Sequence, residues 1–219
     1  GSRKTEGAIV EPLSEYARSK VDVERALKEV ADASFVVRSL RFATAFGMSG
    51  RFRSDLVVND LTLGALQTGQ VEVRSDGSPW RPLIHVGDMA RAIDWAIEDE
   101  AASADHALSV NVGSSNLNVQ VRDIAGEVQK CIHGSSVHID SSAPGDPRSY
   151  QVDFQLFKTL APGHQPSMSL AKGISEMKQA LVDWQLASAR PVFELQRLRE
   201  LKRLQSLGYV NESLRRIHA

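Results

Sequence analysis

Apolar residues recur at helical spacing after Ser14 and then give way to a short block that is typical of a β-strand. Between Ala17 and Ala31 they fall three or four positions apart, with charged residues at most other positions. This pattern predicts a helix that begins at a Ser14 cap. Residues 34–42 open with β-forming apolar residues and predict a strand buried on both faces, as in a parallel sheet.

Helices and strands continue to alternate up to about residue 140, after which only helices are predicted. This alternation, followed by helices alone, predicts an α/β layer structure with a mostly helical C-terminal lobe. Asp88 is expected to cap one of these helices, and His85 is expected to be a strand-end histidine with satisfied polar atoms. The further predicted strands are 71–73, 82–86, 107–112 and 137–139, and the further predicted helices are 55–68, 89–98, 121–131, 170–185, 191–206 and 211–217.

Composition excludes several classes of protein. The 219 residues carry 26 Lys and Arg against 27 Asp and Glu, a net charge of −1, so no global field attracts nucleic acid or an anionic membrane. No apolar run reaches the roughly 18 residues that span a bilayer, and no signal peptide is evident. The single cysteine, Cys131, indicates a reducing compartment. We expect a cytoplasmic protein without nucleic-acid or membrane partners.

Two smaller groups of residues suggest binding chemistry but favour ordinary explanations. Cys131, His133 and His138 lie close in sequence, yet no second cysteine or carboxylate pair accompanies them, so we expect no metal site. The basic residues between Arg197 and Arg203 are interleaved with glutamates. A solvated helix face or a subunit contact therefore explains them better than nucleic-acid binding.

Tyr16 and Lys20 are four residues apart on the first predicted helix and should therefore share one face of it. A lysine ammonium near a phenol favours the phenolate form and lowers the tyrosine pKa. A phenolate near neutral pH can act as a general base toward a hydroxyl group. The same spacing also occurs by chance on surface helices, so taken alone it leaves both interpretations open.

This pair belongs to the first of five short stretches that follow each other along the chain. They are residues 12–20, residues 37–47, the box Arg81-Pro82-Leu83-Ile84-His85-Val86-Gly87-Asp88-Met89-Ala90, Asn111-Val112-Gly113 and Pro144-Gly145-Asp146. Together they resemble the extended short-chain dehydrogenase/reductase family, the NAD-dependent sugar-nucleotide epimerases and dehydratases. The resemblance covers nearly the whole chain from about Pro12. It implies the C-terminal part of a Rossmann-like doubly wound parallel sheet, with a smaller, mostly helical substrate-binding lobe.

The resemblance also implies a mechanism and a cofactor. Tyr16 would be the acid/base, and Lys20 would activate it and bond the nicotinamide ribose. Tyr16 would remove a proton from a sugar hydroxyl while hydride passes to NAD or NADP, and the keto-sugar would then be reduced again. The expected substrate is therefore a nucleotide sugar.

Four further residues are implied as substrate ligands. Thr44 stands where many members of the family carry an asparagine against the substrate. Asn59 matches the family's asparagine that bonds the nucleotide diphosphate, although a polar residue at a helix start is an equally good explanation. Arg81 and Arg148 are candidates for the phosphates, because a guanidinium binds phosphate oxygens in bidentate fashion; the alternative is a solvated surface charge.

The Gly-rich turn that a dinucleotide-binding enzyme needs is missing from the sequence. We therefore expect residues 1–48 to be a remnant of the nucleotide-binding domain, 49–150 a mixed substrate-binding lobe with returning sheet elements, and 151–219 a C-terminal helical region. Such a truncated enzyme would be inactive alone. It would form a homodimer or associate with a missing N-terminal part. The alternatives are a non-catalytic sugar-nucleotide-binding or interaction module, and an inert, self-associating product of truncation.

Overall fold

The computed structural model describes residues 3–98, 106–142, 149–184 and 197–217. No helix within these ranges is both long enough and apolar enough to cross a lipid bilayer. The strands are β1 (Val37–Phe42), β2 (Thr44–Phe46), β3 (Gln70–Val73), β4 (Trp80–His85), β5 (Ala107–Val112), β6 (Asn118–Gln120) and β7 (Ser136–Ile139). The helices are α1 (Glu15–Val30), α2 (Val57–Thr68), α3 (Val86–Glu98), α4 (Val121–Cys131), α5 (Gln155–Leu160), α6 (Leu170–Asp183) and α7 (Arg197–Ser206).

The first of two compact units comprises Gly1–Ala45, Ser78–Gln120 and Gly145–Ser169. Strands β1 and β5 pair in parallel, while β4 lies between β2 and β6 in a second sheet and pairs with β6 in antiparallel fashion. Helix α3 buries Trp95, whose ring meets that of Phe157 edge to face at 5.5 Å between centroids. The rest of this core is aliphatic or aromatic and includes Ala43, Ile84, Ala92, Val110, Val112, Phe154 and Ala161.

Gly113, which follows β5, is required by a close approach within this core. A Cβ atom at this position would lie 2.6 Å from two ring atoms of Phe154 and 3.1 Å from the Cβ of Ala43. No side chain fits there without moving the buried Phe154 ring. The glycine of the Asn111-Val112-Gly113 stretch therefore serves packing.

The second unit comprises Phe46–Gly77, Val121–Pro144 and Leu170–Ala219. Strands β3 and β7 pair in parallel, from Gln70 opposite Ser136 to Val73 opposite Ile139. Helices α2, α4 and α6 contribute fully buried side chains, which include Val58, Leu63, Ile124, Val128, Ile174, Met177 and Leu181.

Several sequence-based expectations about local structure are wrong. Strand β1 is half-buried, and only Val37 in it is fully buried. Its residues contact polar groups as well as the core, since Arg41 pairs with Glu24 of α1. Residues 211–217 form a turn closed by a bridge between Val210 and Arg216 instead of a helix. Strands β2 and β6 and helix α5 were not predicted, since three to six residues carry too little periodicity. The division at residues 48 and 150 stays a prediction.

Candidate functional site

Helix α1 places Tyr16 and Lys20 in its first turns. Its cap is Ser14, whose backbone is extended and whose Oγ accepts a hydrogen bond from the backbone N of Ala17 at 3.2 Å. The Lys20 Nζ lies 5.4 Å from the centroid of the Tyr16 ring, within the range of a cation–π contact. The Tyr16 side chain is 73% exposed, so the phenol is open to solvent and to any ligand on that side.

An adjoining side of α1 meets the sheet through polar contacts. Glu24 forms a bidentate ion pair with Arg41 of β1, in which the Arg41 Nε lies 2.9 Å from the Glu24 Oε2. Ser109 of β5 donates its hydroxyl to Glu24 Oε1 at 2.9 Å. These donors hold the pKa of Glu24 below its ordinary value, the Arg41 hydrogen bonds first and then Ser109 against the opposing effect of burial. We call Glu24, Arg41 and Ser109 the Glu24 cluster.

The segment before α1 joins the same face of the sheet. Arg41 donates a further hydrogen bond to the backbone O of Glu6 at 2.9 Å. The Glu6 carboxylate in turn accepts the backbone N of Asn111 at 3.0 Å, and Lys4 forms a parallel bridge with Val152. Residues 4–6 are therefore fixed beside β1 and β5, which sets the point from which the chain enters α1.

Asn59 is almost fully buried in α2, at 1% exposure, and its amide is used by the protein itself. Its Oδ1 accepts the backbone N of Gly47 at 3.1 Å, and its Nδ2 donates to the backbone O of Arg53 at 3.0 Å. Arg53 in turn pairs with Asp55, and those hydrogen bonds hold the pKa of the Asp55 carboxyl below its usual range. Asn59 thus ties the loop between β2 and α2 to the start of that helix.

The remaining candidate ligands are placed as follows. Thr44 begins β2 and is half-buried. Arg81 lies in β4, opposite Val119 of β6, and donates one hydrogen bond to the backbone O of Trp80 at 2.9 Å. Arg148 lies outside the described residues.

His85 ends β4 as expected, with its Nδ1 accepting the backbone N of Gly87 at 3.2 Å. Asp88, in contrast, is not a helix cap, because α3 begins two residues earlier. Its buried carboxylate accepts the backbone N of Ser167 at 3.0 Å and of Met168 at 3.1 Å. Asp88 therefore fixes a distant loop to α3, a contact that the local sequence does not reveal.

Within the described residues, no group of three or more His, Cys, Asp and Glu side chains is arranged to hold a metal ion. Cys131 is half-buried at the end of α4, and its Sγ lies 3.7 Å from the backbone O of Ala171.

The structure brings Tyr16 and Lys20 together on one helix face, while Thr44 and Arg81 lie in other elements of the first unit and Asn59 belongs to the second. Sequence reasoning missed the Glu24 cluster. One signal was available, since Glu24 lies four residues after Lys20, on the same face as the small or apolar Ala17 and Val21. A carboxylate in such a position indicates a cationic partner on the neighbouring strand.

Comparison with known proteins bears on the family and the fold. The model of the NAD-dependent epimerase/dehydratase family matches residues 1–113. UDP-glucuronic acid 4-epimerase from Bacillus cereus, solved with UDP-glucuronic acid and NAD, superposes with a TM-score of 0.70 at 21% identity, over 84% of this chain and 57% of that enzyme. dTDP-glucose 4,6-dehydratase from Bacillus anthracis, solved with NAD, gives 0.69 at 18% identity, over 85% and 58%.

UDP-glucose 4-epimerase from Thermotoga maritima, solved with UDP-glucose, gives a TM-score of 0.68 at 24% identity, over 83% of this chain and 58% of that enzyme. The chain thus spans less than two thirds of the length of these enzymes, and at such identities the likeness shows the fold. It confirms the expected α/β class with parallel strands and helices as in Rossmann-like epimerases. Since the family match takes in more than half of the chain, this protein belongs to the NAD-dependent epimerase/dehydratase family.

Proposed function

We propose that this chain carries the acid/base pair of an NAD(P)-dependent epimerase or dehydratase that acts on a nucleotide sugar. The observation that supports this most directly is the side-by-side placement of Tyr16 and Lys20 on an exposed face of α1. The family match and the nucleotide sugars bound to two of the structural neighbours support the substrate class.

In this proposal Tyr16 Oη accepts the proton of a sugar hydroxyl. Lys20 lies one helical turn away and places its ammonium group beside the Tyr16 ring. When the sugar is reduced again, Tyr16 returns the proton to the same oxygen. Lys20 serves electrostatically.

The chain offers contacts to one part of the cofactor, its nicotinamide ribose. Tyr16 and Lys20 offer an exposed hydroxyl and ammonium to a nicotinamide ribose. NAD or NADP, when bound, supplies the hydride acceptor and donor. The sequence contains no Gly-rich turn for the pyrophosphate, so this binding would have to come from another polypeptide segment.

Substrate phosphates would be bound by Arg81 and Arg148, with Thr44 against the sugar. We assign Asn59 a structural role instead of a direct contact with the substrate, because both ends of its amide already hold the loop between β2 and α2. Nothing in the described structure pairs with the second edge of β1, so we propose that the active form adds an N-terminal segment or a second copy of the chain. Alone, the chain would be inactive.

The second candidate is a sugar-nucleotide-binding module without catalysis. It is favoured by the absence of a Gly-rich turn from a chain that retains Arg81 and Asn59. The two candidates differ in whether Tyr16 matters when the cofactor can bind.

The test compares the chain with the chain extended by the sequence encoded upstream of residue 1, each supplied with NAD+ and UDP-glucose or UDP-glucuronic acid. We expect turnover only from the extended form. Tyr16→Phe should lower its kcat by about 10²- to 10⁴-fold. Tyr209→Phe is the matched control, because Tyr209 is similarly exposed but lies in the second unit, and it should leave kcat unchanged.

Calorimetry with UDP-glucose separates the alternatives. If Arg81→Ala abolishes binding while no extended form turns over, the binding module is correct and the catalytic proposal fails. Full turnover by the chain alone with NAD+ would contradict the proposed inactivity. An extended, active enzyme indifferent to Tyr16→Phe would contradict the mechanism.

A further inference from the structure

We propose that Glu24 is the positioning residue for the Tyr16–Lys20 pair, because the Glu24 cluster holds α1 on the sheet. The inference rests on the proposed function for its meaning in catalysis, but the attachment itself can be measured separately. Glu24 lies eight residues beyond Tyr16, about 12 Å along a helix at 1.5 Å per residue. It therefore does not touch the reacting groups and acts only through the position of α1.

The first argument is that α1 lacks the usual apolar anchor. None of its residues is fully buried, although it is 16 residues long. Its half-buried positions are Ala17, Val21, Glu24 and Leu27, which follow each other at intervals of three and four residues and form one face. Two of these side chains are short, so this face removes little apolar area from water.

The second argument is the geometry at the centre of that face. Glu24 receives both arms of the Arg41 guanidinium from β1 and the Ser109 hydroxyl from β5, so a single carboxylate connects the helix to two paired strands. Bidentate, charge-assisted hydrogen bonds of this kind are the strong ones. Glu24 and Arg41 are 26% and 31% exposed, which limits solvent screening.

The third argument comes from a contrast on the same helix. Glu15 pairs with Arg18 at 3.0 Å, but their side chains are 89% and 57% exposed, and both lie on α1. Such a pair contributes little and fixes nothing outside the helix. Glu24 is different because its partners belong to the sheet, so its loss frees the helix that carries Tyr16 and Lys20.

The experiment measures amide hydrogen exchange by mass spectrometry in peptides that cover residues 14–30 of the chain. We expect Glu24→Gln to accelerate exchange in these peptides by about tenfold or more, relative to peptides from β5 and the second unit. The matched control Glu15→Gln removes the same charge from the same helix and should change exchange by less than about twofold. Ser109→Ala removes one hydrogen bond and should give an intermediate acceleration.

The charge-reversed pair Glu24→Arg with Arg41→Glu tests the contact itself. It should restore protection of residues 14–30 beyond either single change, since the ion pair is re-formed in the opposite sense. The inference is wrong if residues 14–30 exchange as slowly in Glu24→Gln as in the unaltered chain. It is also wrong if the reversed pair does not restore protection. If Glu24→Gln unfolds the chain, Ser109→Ala decides, and unchanged exchange in that variant also overturns it.

Activity supplies a separate readout. In an extended, active enzyme Glu24→Gln should lower kcat with KM nearly unchanged, and the reversed pair should recover part of that loss. Fast exchange in an enzyme whose kcat does not respond to Glu24→Gln would show attachment without positioning and overturn the inference. A failure of Tyr16→Phe to affect kcat counts against the proposed function and leaves the exchange result standing.

Discussion

Single buried polar residues in this protein bind backbone groups of segments that are distant in sequence. Asp88 receives two backbone N–H groups at residues 167 and 168, and the Asn118 side chain exchanges two hydrogen bonds with the backbone of Val152. Each replaces the water that those backbone groups lose on burial. The presence of Asp88 in a motif-like stretch is therefore explained by folding without any contact with a ligand.

The Asp88 contact gives a prediction at this scale. Asp88→Asn keeps the shape but turns one acceptor oxygen into a donor that faces a backbone N–H. We expect a loss of about 1–3 kcal/mol in the free energy of unfolding, measured by urea titration. Asp94→Asn, an exposed change on the same helix, should have an effect close to zero. Equal effects of the two changes would show that the buried acceptors contribute nothing.

Secondary structure elements were predictable where they were long and periodic. The bounds of α1, α4 and β5 follow from spacing and from the Ser14 cap, and His85 was correctly assigned to a strand end. The role of Asp88 was not predictable, because its partners are 79 and 80 residues away in sequence. The Glu24 cluster joins three elements, and spacing within one helix cannot identify partners on two strands.

The attachment of α1 predicts a pH dependence at the element scale. The pKa of Glu24 is lowered in the folded chain, so the unfolded chain binds its proton first as pH falls. The stability that Glu24 contributes is present above its unfolded value of 4.5 and is lost below it, as pH passes through the lower folded pKa. The groups that face Glu24 are Arg41 and Ser109 on the strands, Lys28 on its own helix, and Glu6, which shares Arg41.

The measurement is the difference in melting temperature between the unaltered chain and Glu24→Gln. At neutral pH we expect about 2–4 °C, which corresponds to ~1 kcal/mol for a chain of this length. The difference should shrink steadily below pH 4.5. Glu15→Gln should show no such trend, because Glu15 has no partner outside its helix among the described contacts. A difference that stays constant in acid would contradict the assignment.

At the scale of the whole molecule, the chain spans 57–58% of the epimerase and dehydratase structures compared above. Part of the surface of the first unit is apolar. Ile9, Leu13, Tyr16, Val23 and Val30 are between 55% and 86% exposed, and Tyr16, Val23 and Val30 follow each other at intervals of seven residues along one stripe of α1. Exposed apolar stripes of this kind indicate an interaction surface.

This stripe predicts that the chain on its own self-associates. In sedimentation velocity experiments over increasing protein concentration, we expect the weight-average sedimentation coefficient to rise. Val23→Lys combined with Val30→Lys should abolish the rise, because burying two ammonium groups at the contact costs more than the apolar area gains. Ile97→Lys is the matched control, since Ile97 is also an exposed apolar residue, at 77%, but lies on α3. A chain that stays monomeric throughout, or association that Ile97→Lys weakens equally, would exclude the α1 stripe as the contact surface.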